Sequence, residues 1–159
     1  MIKKIICDIQ VCLGCRSCEL ACAVEHSKSK TLFEGIKEDP LPRSRKKVES
    51  IGSKSLAIAC CHCELAPCVQ ACMAGSMHKD EEGRTIHNEE KCVGCGMCIM
   101  VCPFGVITRQ KNIVLKCDLC PDLDNIYACV EACPTGALFI GTVEEFEERI
   151  NKRKARIEI

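Results

Sequence analysis

The sequence predicts a small α+β domain, built from short strands and helices, in which cysteines rather than aromatic side chains hold the core together. Three observations lead to this prediction. Of the 159 residues 18 are cysteine, above the roughly 8–10 % at which cysteines dictate the architecture of a short chain. The chain has four Phe, one Tyr and no Trp, so the rings that normally supply much of a core's buried area are scarce. The cysteines also recur in four spaced groups.

The charge balance argues against several classes of function. Lys and Arg together number 22, Asp and Glu also number 22, and the formal net charge is zero. This balance does not support binding to nucleic acid or to anionic lipid. Asp8 interrupts the apolar start too early for a secretion signal, and no apolar run approaches the roughly 18 residues of a membrane span. We therefore expect a cytoplasmic protein, in which dense cysteines are metal ligands more often than disulfides.

Sixteen of the cysteines form four motifs with related spacings. Motif one (C-x2-C-x2-C-x3-C) is Cys12, Cys15, Cys18 and Cys22; motif two (C-x2-C-x4-C-x3-C) is Cys60, Cys63, Cys68 and Cys72; motif three (C-x2-C-x2-C-x3-C) is Cys92, Cys95, Cys98 and Cys102; motif four (C-x2-C-x8-C-x3-C) is Cys117, Cys120, Cys129 and Cys133. The spacing of motifs one and three is the bacterial ferredoxin signature, whose fourth cysteine binds the other cluster of a two-cluster protein. Such motifs act in pairs. Four of them predict a tandem bacterial-ferredoxin-like fold, with two dicluster ferredoxin lobes wrapped around four 4Fe-4S clusters.

The spacing has a geometric reason. Three thiolates must reach three corners of one cubane, so the chain wraps tightly, and Gly14 and Gly94 stand at equivalent positions between the first two ligands. Backbone N–H groups in such a wrap can point at the sulfurs and offset their negative charge. Motifs three and four continue as Cys-Pro-x-Gly, in which proline stops the helix and glycine allows a reversal, whereas motif two has Met73 in place of the proline. These shared tails indicate internal duplication.

Some residues allow more than one interpretation. One zinc ion could replace one cluster, since motif four on its own resembles an odd zinc site. Cys7 is most simply a small buried strand residue, and Cys60 is preferred to Cys61 as the first ligand of motif two because it gives the x2 gap of the other motifs. His62 could tune a cluster by hydrogen bonding rather than by ligation. The basic run 43–47 is interpreted as a solvated loop, with a docking patch for an acidic partner as the alternative.

Charged residues beside the ligands are expected to influence the cluster potentials. Arg16, Lys91 and Lys116 would favour reduction, since each places a positive charge next to a ligand. Glu64 and Asp118 would oppose it.

The rest of the sequence predicts short elements. Strands are predicted at Lys3–Ile9, Ser55–Ala59, Arg84–His87 and Asn112–Leu115. The cysteine-free insert 27–54 is rich in Lys, Ser and Pro and predicts a loop or hairpin. Thr142-Val-Glu-Glu145 has the pattern of a capping box, and Val143, Phe146 and Ile150 recur at helical spacing. A C-terminal helix through about Lys154 is therefore predicted, with its apolar stripe packed on the body or on a partner.

The motifs, with the residues between their cysteines, resemble a known family. The segments 63–69 (CELAPCV) and 116–120 (KCDLC) look like those of the four-cluster ferredoxin-type subunits of molybdenum and tungsten oxidoreductases, formate-linked hydrogenases and carbon monoxide dehydrogenases. The segment 15–27 (CRSCELACAVEHS) is most similar to the carbon monoxide dehydrogenase iron–sulfur subunit. The resemblance spans residues 5 to about 141.

The resemblance implies a nested pairing, motif one with motif four and motif two with motif three. The ligands would be Cys12, Cys15, Cys18 and Cys133 in set one; Cys117, Cys120, Cys129 and Cys22 in set two; Cys60, Cys63, Cys68 and Cys102 in set three; and Cys92, Cys95, Cys98 and Cys72 in set four. Residues 1–141 would form the four-cluster domain, with lobe A from 1–30 and 110–141 and lobe B from 55–109, followed by a helix and tail at 142–159.

These features predict an electron-transfer subunit of an anaerobic oxidoreductase complex, with no catalytic residue of its own. By resemblance it would join a catalytic partner, carbon monoxide dehydrogenase first and a formate or aldehyde oxidoreductase next, to a hydrogenase, flavoprotein or ferredoxin. The alternative is a structural or assembly subunit that forms the spine of a larger redox complex or filament. An enzyme in its own right is disfavoured, because every motif has its fourth ligand whereas a catalytic cluster usually keeps an iron site open.

Overall fold

The computed structural model describes residues 2–123 and 126–157; residues 1, 124–125 and 158–159, which the predicted lobe A and tail include, lie outside the described residues. The strands are β1 (Lys4–Cys7), β2 (Lys47–Ile51), β3 (Lys54–Ile58), β4 (Met77–Lys79), β5 (Thr85–His87), β6 (Thr108–Gln110), β7 (Ile113–Leu115) and β8 (Leu138–Gly141). The helices are α1 (Ser17–Glu25), α2 (Leu32–Gly35), α3 (Pro67–Gln70), α4 (Met97–Met100), α5 (Ala128–Glu131) and α6 (Val143–Ile157).

The strands form antiparallel two-stranded sheets. Three are local hairpins, β2 with β3, β4 with β5 and β6 with β7, and the fourth pairs β1 with β8 from opposite ends of the cysteine-rich part of the chain. The four predicted strands are confirmed, each within two residues of its predicted bounds. The predicted insert contributes β2 of a hairpin, as expected, but it also contains the one-turn helix α2, which was not predicted.

Four helices are placed by the cysteine motifs. The third cysteine of each motif is the second residue of a helix and is buried: Cys18 in α1, Cys68 in α3, Cys98 in α4 and Cys129 in α5. In motifs three and four, proline after the fourth cysteine disfavours helical backbone in the residue before it, which agrees with the single turn of α4 and α5. The helix α3 of motif two also lasts one turn, although Met73 stands in place of the proline. Motif one has Ala23 there, and α1 continues to Glu25.

The tails of motifs two, three and four make the same turn. In each, the glycine three residues after the last cysteine donates its N–H to that cysteine's carbonyl, with N···O distances of 3.0 Å at Gly75, 3.2 Å at Gly105 and 3.1 Å at Gly136. Motif two makes this turn without proline, and its Met73 is 99 % exposed. The shared turn agrees with the internal duplication predicted from sequence.

Packing brings the motifs together two by two. Helix α1 of motif one packs on α5 of motif four, and α3 of motif two packs on α4 of motif three. One hydrophobic core contains Cys18, Cys60, Cys117 and Cys129, and a second contains Cys68 and Cys98. Cys102 packs against both cores, so the regions around the motifs form one continuous packed interior.

The C-terminal helix α6 lies on the β1–β8 end of the molecule. Its predicted capping box is confirmed, since Thr142 N–H donates to Glu145 Oε2 at 2.8 Å and Glu145 N–H donates to Thr142 Oγ1 at 3.3 Å. Phe146 packs on Phe139 with ring centroids 6.1 Å apart, whereas Val143, from the same predicted stripe, is 51 % exposed. Among the described residues, no helix is long and apolar enough to cross a membrane.

Candidate iron–sulfur centres

Two of the cysteine sets line recesses. Cys12, Cys15, Cys18 and Cys133 surround one recess, and Cys72, Cys92, Cys95 and Cys98 surround another. Each recess therefore draws three cysteines from one motif and the last cysteine of another. Cys15 and Cys95, at equivalent positions in their motifs, are the two cysteines that are exposed to solvent.

The members of set two, Cys22, Cys117, Cys120 and Cys129, are all buried and close to one another. Burial raises the pKa of the Cys120 thiol to about 12 and that of Cys129 to about 11, and neighbouring cysteine charges add to both shifts. The pKa of Cys117 is raised for the same reasons, with Cys22 and Cys129 as the neighbours. A thiol must lose its proton to ligate a metal, so metal binding at this set would release protons.

The members of set three lie between the two cores. Burial raises the pKa of Cys68, and the charges of Cys60 and Cys102 raise it further, which places these three sulfurs in one electrostatic neighbourhood. The pKa of Cys61 is raised by burial and then by Cys63, Cys60 and Cys102. Cys61 therefore lies near this set as well, and the choice of Cys60 as the ligand stays a prediction.

Backbone N–H groups point at several of the sulfurs. The donors are Arg45 to Cys22 at 3.3 Å, His62 to Cys60 at 3.4 Å and Met77 to Cys72 at 3.3 Å. Such donors stabilise thiolate charge and tune the reduction potential of a bound cluster. Of these donors only His62 lies within a motif, as the spacing predicts; Arg45 belongs to the insert and Met77 to β4.

The two predicted turn glycines occupy close-packed positions. Gly14 and Gly94 have φ angles of +66° and +69°, in the left-handed region that favours glycine. A side chain on Gly94 would collide with the carbonyl of Asn112, and one on Gly14 would collide with Ser55. Both glycines therefore allow a neighbouring hairpin to pack directly on the loop between the first two cysteines, through Ser55 of β3 at Gly14 and through the β6–β7 turn at Gly94.

A polar network beside set two was missed by the sequence reasoning. His26 Nε2 lies 3.2 Å from Asp118 Oδ1, and Asp118 also pairs with Arg45. Burial opposes the charged form of His26, but hydrogen bonds to Asp118 and Cys22 prevail and raise its pKa to about 9. One signal for this contact was present in the sequence, because His26 follows Cys22 by four residues, or one helical turn.

The same network corrects the interpretation of the basic run. Residues 43–47 were expected to form a solvated loop, yet the Arg45 side chain is only 20 % exposed and Lys46 is 5 % exposed. The partners of Arg45, which are Asp118 and Glu89, lie far away in sequence, so a local charge pattern could not predict the burial of this run. Asp118 was expected to oppose reduction, but its charge is offset by Arg45 and His26.

The three cations that the sequence singled out differ in their surroundings. Arg16 is 68 % exposed in its side chain and pairs with Glu19 at 3.4 Å, and Lys91 is exposed. Lys116 is 2 % exposed, and its Nζ donates to the carbonyl of Cys117 at 2.6 Å and to that of Thr85. Solvent screens exposed charges strongly, so Lys116 is the one of the three that is placed to act on a cluster.

The remaining singled-out residues are placed as follows. Cys7 lies in β1 as predicted but is only half-buried, and it accepts a hydrogen bond from Ala57 N–H at 3.4 Å. The imidazole of His62 is fully buried, and its Nδ1 accepts from Thr85 N–H at 3.1 Å. His62 contacts the sulfur of Cys60 through its backbone N–H and not through its imidazole ring.

The donor chemistry fits iron–sulfur clusters. All eighteen cysteines are free thiols. Their sulfur atoms lie in groups, and backbone N–H groups donate hydrogen bonds to several of them. Soft thiolates select iron–sulfur clusters, copper or zinc, and the tight three-cysteine wrap is typical of a cubane. A small α+β chain with such cysteine-lined recesses is an iron–sulfur protein.

The chain is similar in sequence to known iron–sulfur proteins. Residues 53–143 match the family model described as "4Fe-4S dicluster domain". The chain is 37 % identical to an iron–sulfur protein of Rhodospirillum rubrum, with 91 % of this chain and 85 % of that protein covered. It is 33 % identical to the electron transport protein HydN of Escherichia coli, with 98 % and 97 % covered. The chain belongs to this family of 4Fe-4S electron-transfer proteins.

Another relative is a subunit of a larger enzyme. The iron–sulfur subunit of the nitrate-inducible formate dehydrogenase of Escherichia coli is 34 % identical, and the match covers 98 % of this chain and 60 % of that subunit. These three relatives are named as an iron–sulfur protein, an electron transport protein and an iron–sulfur subunit, which agrees with a role in electron transfer.

Proposed function

We propose that the chain is a relay of four 4Fe-4S clusters that passes single electrons between a catalytic oxidoreductase and a second redox partner. Sets one to four, as defined above, would each hold one cluster, in two dicluster lobes. A bound 4Fe-4S cluster supplies reversible one-electron transfer. The chain's residues hold the sulfur ligands in place, exclude water from the interior sets and set the local charge.

The observation that carries this proposal is that the cysteine sets lie next to one another in shared cores. Cys18 of set one and Cys129 of set two share a core with Cys60 of set three. Cys68 of set three shares the second core with Cys98 of set four. Sets one, two and three thus adjoin in one core and sets three and four in the other, so each set has a neighbour with which it could exchange electrons.

Sets one and four are the sets that have a solvent-exposed cysteine, and we propose them as the two ends of the relay. Beside Cys15 of set one, Leu13 is 70 % exposed, and beside Cys95 of set four, Val93 is 74 % exposed. The cysteines of set two are all buried. Small apolar surfaces around an exposed cofactor suit the brief contacts of electron-transfer partners, so we place electron entry and exit at these two ends.

For the catalytic partner we propose carbon monoxide dehydrogenase, on the resemblance of segment 15–27. The second candidate is a formate or aldehyde oxidoreductase, which the 34 % identity to a formate dehydrogenase iron–sulfur subunit favours. The redox partner at the other end would be a hydrogenase, flavoprotein or ferredoxin. The density of thiols favours the reducing environment of the cytoplasm.

A redox titration separates the relay from a structural role. The protein would be purified without oxygen and titrated stepwise with dithionite while electron paramagnetic resonance spectra are recorded. The relay predicts several reducible clusters with mutually coupled signals, and electron uptake when carbon monoxide dehydrogenase with CO, or formate dehydrogenase with formate, is added. Clusters that stay oxidised throughout the dithionite titration, and that also stay oxidised when either enzyme and its substrate are added, would favour the structural subunit instead.

A further inference from the structure

Lys46 is a buried cation without a hydrogen-bond partner. It is 5 % exposed, and its Nζ has no partner among the residues that the structure describes. Burying an unpaired ammonium is unfavourable, and a negative charge nearby is what compensates it. The described protein residues do not provide that charge by direct contact.

The backbone on either side of Lys46 contacts two cysteine sets. One residue earlier, Arg45 N–H donates to the sulfur of Cys22 in set two at 3.3 Å. Two residues later, Val48 lines the recess of set one, and it shares a core with Cys18 of set one and Cys129 of set two. Lys46 therefore lies where sets one and two adjoin.

The electrostatics agree with this position. Burial raises the pKa of both Cys18 and Cys129, and the positive charge of Lys46 is the largest influence that lowers it in each case. The other charges near these sulfurs are already engaged. Glu19 accepts from Val48 N–H at 2.7 Å, and Arg45, His26 and Asp118 pair with one another.

We propose that Lys46 supplies the compensating positive charge for the clusters of sets one and two and raises their reduction potentials. The inference rests on the proposed function. Reduction adds one electron, and hence one negative charge, to a cluster inside the protein. An ammonium at this junction stabilises that charge, and because it is buried, salt screens its effect far less than that of Arg16 or Lys91.

The test compares midpoint potentials in the iron-loaded protein. Lys46→Met removes the charge with little change in side-chain length, and Lys46→Arg keeps the charge. Lys47→Met is the matched control, because the Lys47 side chain is 57 % exposed and pairs with Glu49 at the surface. Each variant would be assayed for iron and titrated with dithionite under electron paramagnetic resonance.

We expect Lys46→Met to lower the one-electron reduction equilibrium constant of at least one cluster about tenfold, which corresponds to about 59 mV. Lys46→Arg and Lys47→Met should stay close to the parent protein. A fully loaded Lys46→Met protein with unchanged potentials would overturn the inference, and it would leave the relay intact if the parent clusters remain reducible.

If the Lys46→Met variant does not bind its full complement of iron, the iron content itself becomes the measurement. Full iron content in Lys46→Arg alongside loss in Lys46→Met would support a requirement for the charge. Equal loss in both variants, with Lys47→Met fully loaded, would show that shape rather than charge matters at this position and would overturn the inference. A parent protein without reducible clusters would instead refute the proposed function.

Discussion

Cys60 and Cys61 are adjacent cysteines with different surroundings. Cys60 is buried and accepts a hydrogen bond from His62 N–H, whereas Cys61 is half-buried and its sulfur lies 4.0 Å from the carbonyl of Ala59. A backbone N–H donor stabilises a thiolate, so Cys60 is the better suited of the two to act as a cluster ligand. This difference supports the choice made from spacing alone.

We therefore predict that Cys60→Ser removes about four iron atoms per chain, whereas Cys61→Ser keeps the full content. Colorimetric iron and sulfide assays on anaerobically purified variants measure this directly. The reverse result would exchange the roles of the two cysteines.

Single residues also show where the sequence stops being informative. The ligand cysteines are recognisable because cubane geometry restricts their spacing. The contacts of Arg45 and Lys46 depend on the packing of the insert against motifs one and four, so their burial could not be inferred from a basic run that is typical of solvated loops. Lys91 and Lys116 stand at the same position of their motifs, yet one is exposed and the other is buried.

Among the secondary-structure elements, the loop between the first two cysteines of motif three depends on close packing against the β6–β7 hairpin. The structure offers a matched pair of glycines to test this. Gly94 and Gly75 both have left-handed φ angles, of +69° and +63°, but a side chain on Gly75 would meet nothing within 4 Å, whereas one on Gly94 would collide with Asn112.

We predict that Gly75→Ala costs roughly 1–2 kcal/mol from its backbone conformation alone. Gly94→Ala should cost more and should also lower the iron content by up to about four atoms, because the loop of set four must shift. The readouts are iron content and the guanidinium concentration at which half of the cluster absorbance is lost. Equal behaviour of the two variants would contradict the role assigned to the packing.

The short elements were predictable where local chemistry fixes them. The α6 start follows from its capping box, and the ends of α4 and α5 agree with the proline after the last cysteine. The pairing of β1 with β8 joins residues more than a hundred positions apart, and no local sequence pattern predicts it. The resemblance to a family implied that motifs one and four are neighbours, and composition and periodicity alone did not.

At the scale of the whole molecule, the proposal assigns different partners to the two exposed ends. Leu13→Glu places a carboxylate beside Cys15, and Val93→Glu places one beside Cys95. We predict that each variant slows electron exchange with one partner by about tenfold or more and leaves exchange with the other partner near the parent rate. Stopped-flow rates with each partner measure this.

Ile36→Glu is the control for these variants, because Ile36 is 61 % exposed on a surface that lines neither recess. It should change neither rate. If Leu13→Glu and Val93→Glu slow the same partner equally, the two-ended relay is wrong.

The central claim is that every cysteine set holds a 4Fe-4S cluster, and metal stoichiometry tests it most directly. Iron, acid-labile sulfide and zinc would be measured per chain on protein purified without oxygen. Four clusters per chain predict about 16 iron and about 16 sulfide with no zinc. About 12 iron with one zinc would contradict it by making one motif a structural zinc site, and little iron after careful reconstitution would refute the relay as a whole.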